Sequence, residues 1–178
     1  PDCVMRMGDN PFSSCTKLNS IYVSPENLYF AVIDDVLFYK PEKKLICFPS
    51  GSVQESYEIP QGIKIIGGTA FSWNDCLTSI SIPDGVTRIE EGAFQICYEL
   101  KEVNIPESVV YIGDYSFSSC ELLTAVSIPE GVTKIGDKAF YACPKLTVTV
   151  ERDSYAANWC KENDVKYIYP DSLDWLNK

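Results

Sequence analysis

Histidine is absent from this sequence. Its absence removes the Ser-His-Asp triad, the Cys-His dyad and every histidine-ligated metal site. Basic residues are scarce: 15 Lys and Arg stand against 25 Asp and Glu, for a formal net charge of -10. Phosphate recognition needs clustered Lys and Arg, and so does docking on an anionic bilayer, so this balance argues against nucleic acid and against a charged membrane surface. No apolar run approaches the roughly 20 residues of a membrane span. No Cys-x-x-Cys pair occurs, although there are eight cysteines.

The 178 residues are 46% apolar and 22% charged, which can build the core of one ordinary or elongated domain. The cysteines are Cys3, Cys15, Cys47, Cys76, Cys97, Cys120, Cys143 and Cys160. An even count can signal a disulfide framework, or a metal cluster, in place of reduced thiols. The steps from Cys97 to Cys120 and from Cys120 to Cys143 are both 23 residues, however. Equal spacing belongs to a repeat rather than to a staple, which favours free, buried thiols.

The same period runs through the chain. Ile59-Pro60, Ile82-Pro83, Ile105-Pro106 and Ile128-Pro129 recur at 23 residues. So do Phe71, Phe94, Phe117 and Phe140, preceded by Ala70, Ala93, Ser116 and Ala139. Ile66, Ile89, Ile112 and Ile135 lie five residues before the phenylalanines, and Leu77, Leu100, Leu123 and Leu146 six after. No helical period fits. Val103 and Ile105 alternate like one face of a short strand, and Pro106, lacking an N–H, ends it. Glu107-Ser108 is turn chemistry, Val109 and Ile112 carry a second extended segment, and 115–119 makes a tight helical turn that brings Phe117 inward. One such unit cannot bury its own apolar face. Stacked units can, and they set like residues in ladders about 4.8 Å apart.

The string Leu-x-x-Ile-x-Ile-Pro-x-x-Val-x-x-Ile-x-x-x-Ala-Phe-x-x-Cys resembles the BspA-like leucine-rich repeats of bacteria and some protists. Segments 77–94, 100–117 and 123–140 all fit it. The resemblance implies a repeat solenoid: a right-handed superhelix of mostly short parallel β-strands with short helical turns, a hairpin insertion and a C-terminal helical cap. The expected divisions are a solenoid over 1–151 and a cap over 152–178. The solenoid comprises a partial first repeat, a hairpin insertion at about 24–57 and regular repeats over 58–146. Val4 to Cys15 aligns with Val109 to Cys120, and Leu18, Ile21 and Val23 then occupy strand positions. Asp34-Asp35 and the 41–44 stretch between apolar runs give the insertion its hairpin signature. After Leu146 the pattern decays, with Val148 and Val150 at the outward places. Residues 152–164 read as a helix capped by Asp153 or Ser154, with Tyr155, Ala156, Trp159 and Cys160 on one face, and Val165–Tyr169 as a last strand. The chain enters in mid-repeat, so it is expected either to be the C-terminal part of a longer protein or to pack its first segment irregularly over the open end. It begins at Pro1 without Met, as after removal of a leader.

Chemistry is hard to find. The glycine-bearing 62–69 stretch lacks the Lys-Thr ending of a phosphate loop, and the next repeats show the same segment without its glycines. A line of stacked cysteines does not suit tetrahedral zinc. Asp34-Asp35 and Glu90-Glu91 fall in turns and are not placed across a cleft, as glycoside hydrolysis requires. No catalytic residue, metal ligand or cofactor site is expected. The candidate binding surface is the outward face of the main strands: Tyr22, Ser56, Glu58, Ser79, Ser81, Glu102, Asn104 and Ser127. The resemblance implies non-enzymatic protein recognition by a secreted or surface-displayed, adhesin-like bacterial protein, with a host surface or matrix protein as ligand. The alternatives are a passive spacer or display scaffold and, behind it, carbohydrate binding. The oligomeric state is not legible.

Overall fold

The computed structural model describes residues 2–170. Regular structure begins with β1 (Phe30–Ile33), β2 (Val36–Tyr39) and β3 (Lys44–Cys47). Each following turn of chain contributes one longer and one shorter strand: β4 (Ser56–Glu58) and β5 (Ile65–Ile66), β6 (Ser79–Ser81) and β7 (Arg88–Ile89), β8 (Glu102–Asn104) and β9 (Tyr111–Ile112), β10 (Ala125–Ile128) and β11 (Lys134–Ile135). Then come β12 (Thr147–Val150), helix α1 (Tyr155–Glu162) and β13 (Tyr167–Ile168).

Two sheets result. The main sheet has the order β4-β6-β8-β10-β12-β13 and is parallel throughout. The flank sheet has the order β1-β2-β3-β5-β7-β9-β11. It is antiparallel across β1, β2 and β3 and parallel beyond. The chain is therefore a parallel β-solenoid with one helix near its C-terminal end. Register advances by 23 residues per turn, pairing Tyr57 with Ile80 and Ile80 with Val103.

A column of phenylalanines holds the turns together. Phe48, Phe71, Phe94, Phe117 and Phe140 stack with centroids 4.9–5.2 Å apart, and from Phe71 onward the rings lie within 13° of parallel. Trp159 closes the column edge-on at 6.0 Å, and Tyr57 meets Phe48 edge-on at 5.1 Å at the other end. The tight turns bond to one another through the backbone. Tyr115, Phe117 and Ser119 donate their N–H groups to the carbonyls of Asp137, Ala139 and Tyr141 in the next turn. Left-handed residues bracket each such turn, at Thr69 and Trp73, at Tyr115 and Ser119, and at Lys138 and Ala142.

The entry end departs from expectation. Leu18, Ile21 and Val23 form no strand. Ile21 and Val23 instead pack with Val4, Met7 and Phe12 on a small second cluster built from Phe30, Leu37, Ile46 and Cys47. The first turn is composite. Residues 10–13 supply its outer part, where Asn10 donates to the Thr69 carbonyl at 2.9 Å and Ser13 hydrogen-bonds Ser72. Phe48, one period before Phe71, supplies the column, and its N–H donates to Ala70. A ring already in place leaves Phe12 outside the column. Cys15, aligned with the interior cysteines, is consequently exposed.

The exit end also departs. Val148 and Val150 are buried, and Thr147 and Thr149 turn outward. Val126 pairs with Val148, a step of 22. One residue fewer follows Leu146 than follows Leu123, so the alternation shifts by one place and brings valines rather than threonines inward. Ser154 caps α1 by accepting from the Ala157 N–H at 3.1 Å. Ala156, Trp159 and Cys160 of the expected face are buried; Tyr155 is exposed instead, and Ala157 is buried with the other three. Residues 171–178 of the expected cap lie outside the described residues.

Candidate functional site

The main sheet sorts its residues by alternation. Tyr57, Ile80, Val103 and Val126 point into the core. Ser56, Glu58, Ser81, Glu102, Asn104 and Ser127 are exposed, and Ser79 is half-buried. Cross-strand register aligns them in two rows. Ser56, Ser79, Glu102, Ala125 and Thr147 form one; Ser81 stands beside Glu58, and Asn104 beside Ser127, in the other. Seven of the eight expected binding residues therefore share one face. Tyr22 does not. It is 85% exposed on a loop, because the strand that was to carry it does not form.

Between the tight turn and the main strand of successive repeats, cysteine forms a ladder of thiols in which Cys97 and Cys120 are buried and Cys143 is half-buried. Cys97, Cys120 and Cys143 each donate to the carbonyl of a phenylalanine one turn back: Phe71 at 3.1 Å, Phe94 at 3.2 Å and Phe117 at 3.1 Å. Asn74 takes the same place in an earlier turn, accepting from the Cys76 and Leu77 N–H groups. All eight cysteines are free. Burial pushes the Cys47 and Cys97 thiols up to about 12 and Cys160 up to about 11. Cys120 and Cys143 interact as a pair: the neighbouring Cys120 side chain holds the pKa of Cys143 below the ordinary thiol value, while Cys143 and burial raise that of Cys120.

The aromatic and cationic side chains missing from the main face are on the flank sheet. Arg88 and Lys134 lie over the Tyr111 ring at 5.1 and 5.4 Å, from the turns on either side. Lys138 lies 5.7 Å from both the Tyr115 and the Tyr141 rings. At the entry side of this flank, Lys44 meets Glu90 at 2.6 Å and Asp9 at 3.1 Å, and Arg88 meets Glu90 at 3.5 Å. Burial lowers the pKa of Lys44, but its hydrogen bonds to Glu90 and Asp9 outweigh that and hold it above the usual lysine value. A cleft of about 470 Å³ lies between the last repeat turn and α1. Among the described residues no group of acidic or thiol side chains is arranged to hold a metal ion.

The family model for the BspA type leucine rich repeat region matches residues 44–157 in six copies. The chain belongs to this family. Leucine-rich repeats of this kind are generally non-catalytic and typically bind proteins. The match begins at Lys44, in agreement with Phe48 being the first member of the aromatic column. Solved structures share the fold. A leucine-rich repeat protein from Eubacterium ventriosum is 25% identical with a TM-score of 0.73, over 85% of this chain and 40% of that one. A leucine rich cell surface protein from Faecalibacterium prausnitzii is 28% identical with a TM-score of 0.64, over 89% and 48%. The pneumococcal vaccine antigen PcpA, at 20% identity and a TM-score of 0.59 over 85% and 50%, shares the fold alone. The chain spans half or less of the length of these three proteins. No curated protein matches it.

Sequence reasoning on this leucine-rich repeat missed the flank cluster and the cleft. The flank was partly legible, since Arg88, Tyr111 and Lys134 stand 23 residues apart and each precedes a core isoleucine. The cleft was not, because it arises where the repeat stops.

Proposed function

We propose that this leucine-rich repeat is a non-enzymatic recognition module, secreted or displayed at the bacterial cell surface, that binds a protein ligand through the outward face of the main sheet. The observation that carries this reading is the solvent-exposed double row from Ser56 to Ser127, held on rigid parallel strands and unused by the protein's own packing. A partner docking there would find backbone positions set by the turn-to-turn hydrogen bonds, so little ordering entropy opposes association. The description of the Faecalibacterium prausnitzii relative as a cell surface protein supports the location.

A second reading, a passive scaffold, draws on the smallness of the same side chains. Serine, alanine and asparagine are not the Trp, Tyr and Arg residues that dominate binding energy. Biolayer interferometry against a panel of purified host surface and matrix proteins separates the two. The recognition reading expects saturable binding to at least one, weakened tenfold or more by Ser79→Arg with Asn104→Arg. Binding to none, or binding indifferent to that double variant, removes the main face as the contact surface.

A further inference from the structure

In every complete repeat, three N–H groups of the tight turn donate to the next turn, as Tyr115, Phe117 and Ser119 do. Their counterparts in the last turn are Lys138, Phe140 and Ala142. No repeat turn follows them among the described residues. Among the described residues no carbonyl accepts from these three groups, and all three residues line the cleft under α1. A backbone donor without a partner calls for an acceptor. Three of them, on alternate residues of one turn, offer donors to an acceptor that enters the cleft.

The rest of the cleft has a different character. Leu146, Trp159 and Val165 make an apolar wall, continued by the Phe140 ring at the end of the aromatic column. The ionisable groups that line it are Lys138, Lys166, Asp164, the Tyr141 phenol and the Cys143 thiol. Neither lysine has a carboxylate within 4.0 Å among the described residues. The lining is therefore net positive in a chain of net charge -10. A volume of about 470 Å³ accommodates one large side chain and a neighbouring carboxylate, not a whole folded surface.

We propose that this cleft is a second contact site, which takes from a protein partner an apolar, preferably aromatic, side chain adjacent to a carboxylate. The carboxylate accepts from the free N–H groups of the 138–142 turn and faces Lys138 and Lys166. The apolar side chain lies against Trp159 and Leu146. The inference rests on the protein being a recognition module, but not on the main sheet being the face it uses. The end of the repeat thereby supplies what the regular face lacks: donors that no neighbouring turn consumes, beside a large aromatic.

The test is a titration of the full 15N-labelled chain with a short peptide carrying a tryptophan flanked by aspartates. A matched peptide carrying asparagines in their place is the control. The amide resonances of Phe140 and Ala142 are expected to shift saturably with the first peptide, and the control is expected to bind at least tenfold more weakly. Lys138→Gln with Lys166→Gln is expected to weaken the first peptide at least tenfold while leaving the spectrum of the free protein folded. Bound peptide is also expected to slow alkylation of Cys143 by iodoacetamide, read site by site by mass spectrometry, without slowing Cys3 or Cys15. Equal binding of the two peptides overturns the carboxylate site. Shifts confined to the main sheet, or none at millimolar peptide, overturn the cleft as a contact. If a ligand from the protein panel is lost with the Ser79→Arg and Asn104→Arg variant but is indifferent to the two lysines, the cleft proposal fails while the recognition reading stands.

Discussion

Replacing Ser116 by alanine is expected to stabilise the protein. Ser116 is fully buried, and its hydroxyl has no hydrogen-bond partner. In neighbouring turns the same place is held by Ala70, Ala93 and Ala139, each equally buried, so the site already fits a methyl group wherever one occurs. A buried hydroxyl left unpaired costs about 1–3 kcal/mol relative to one that is satisfied or absent. Removing one oxygen returns a small loss of packing, since the void is less than a methylene in size. The net expectation is a gain of about 1 kcal/mol, or about 2–4 °C in Tm for a chain of this length. Urea melts followed by far-ultraviolet circular dichroism and by tryptophan fluorescence would measure it. A loss of more than about 0.5 kcal/mol would refute the reasoning, because it would mean that the hydroxyl has a partner or that the turn needs serine.

Phe117→Ala removes a ring stacked on Phe94 at 5.1 Å and on Phe140 at 5.2 Å, and is expected to destabilise by about 3–5 kcal/mol. Tyr111→Ala, on the outer side of the flank sheet, should lose only about 1 kcal/mol from its two cation contacts, so equal losses in parallel melts would contradict the inward and outward assignment. Lys44→Met leaves Glu90 poorly exposed and without its 2.6 Å partner, for an expected loss of about 1–3 kcal/mol that the further change Glu90→Gln should partly restore; a double-mutant cycle with no coupling would sink this account. The thiols predict alkaline sensitivity. Their folded pKa values lie above the ordinary 9.0, so the unfolded chain releases protons first, and stability, complete below pH 9, falls as pH rises from 9 toward about 11 for Cys160 and about 12 for Cys47 and Cys97. Each contributes a slope of up to about 1.4 kcal/mol per pH unit, and Cys97→Ala should flatten the decline measured by urea melts between pH 8.5 and 10.5.

The repeat was legible because every interior turn sees the same neighbours. Residues 23 apart pair with one another, so the contacts that select Phe94 also select Phe71 and Phe117, and the selection is written into the sequence as a period. Strand alternation then follows from the pleat. The exposure of Glu102 and Asn104 on either side of buried Val103 therefore needed no coordinates. Where a turn has a neighbour on only one side, the period loses its authority. The alignment of Val4–Cys15 with Val109–Cys120 put Phe12 at the column position, and only packing decided that Phe48 enters it while Phe12 joins the cluster around Phe30 and Leu37. The single missing residue after Leu146 reversed the roles of Val148 and Thr147, because the pleat counts residues and not their resemblance to the previous turn.

By itself the sequence determined the solenoid, its period, its inward ladders and the exclusion of histidine chemistry. These depend on residue type and spacing, which are local properties multiplied along the chain. The tertiary structure decided what happens on the flank and at the ends. It brought Arg88, Tyr111 and Lys134 from three turns onto one ring, and it left the donors of Lys138, Phe140 and Ala142 facing a cleft instead of another turn. A hydrogen bond that a periodic neighbour would have accepted is a property of the stack, and only the place where the stack ends shows which donors remain free.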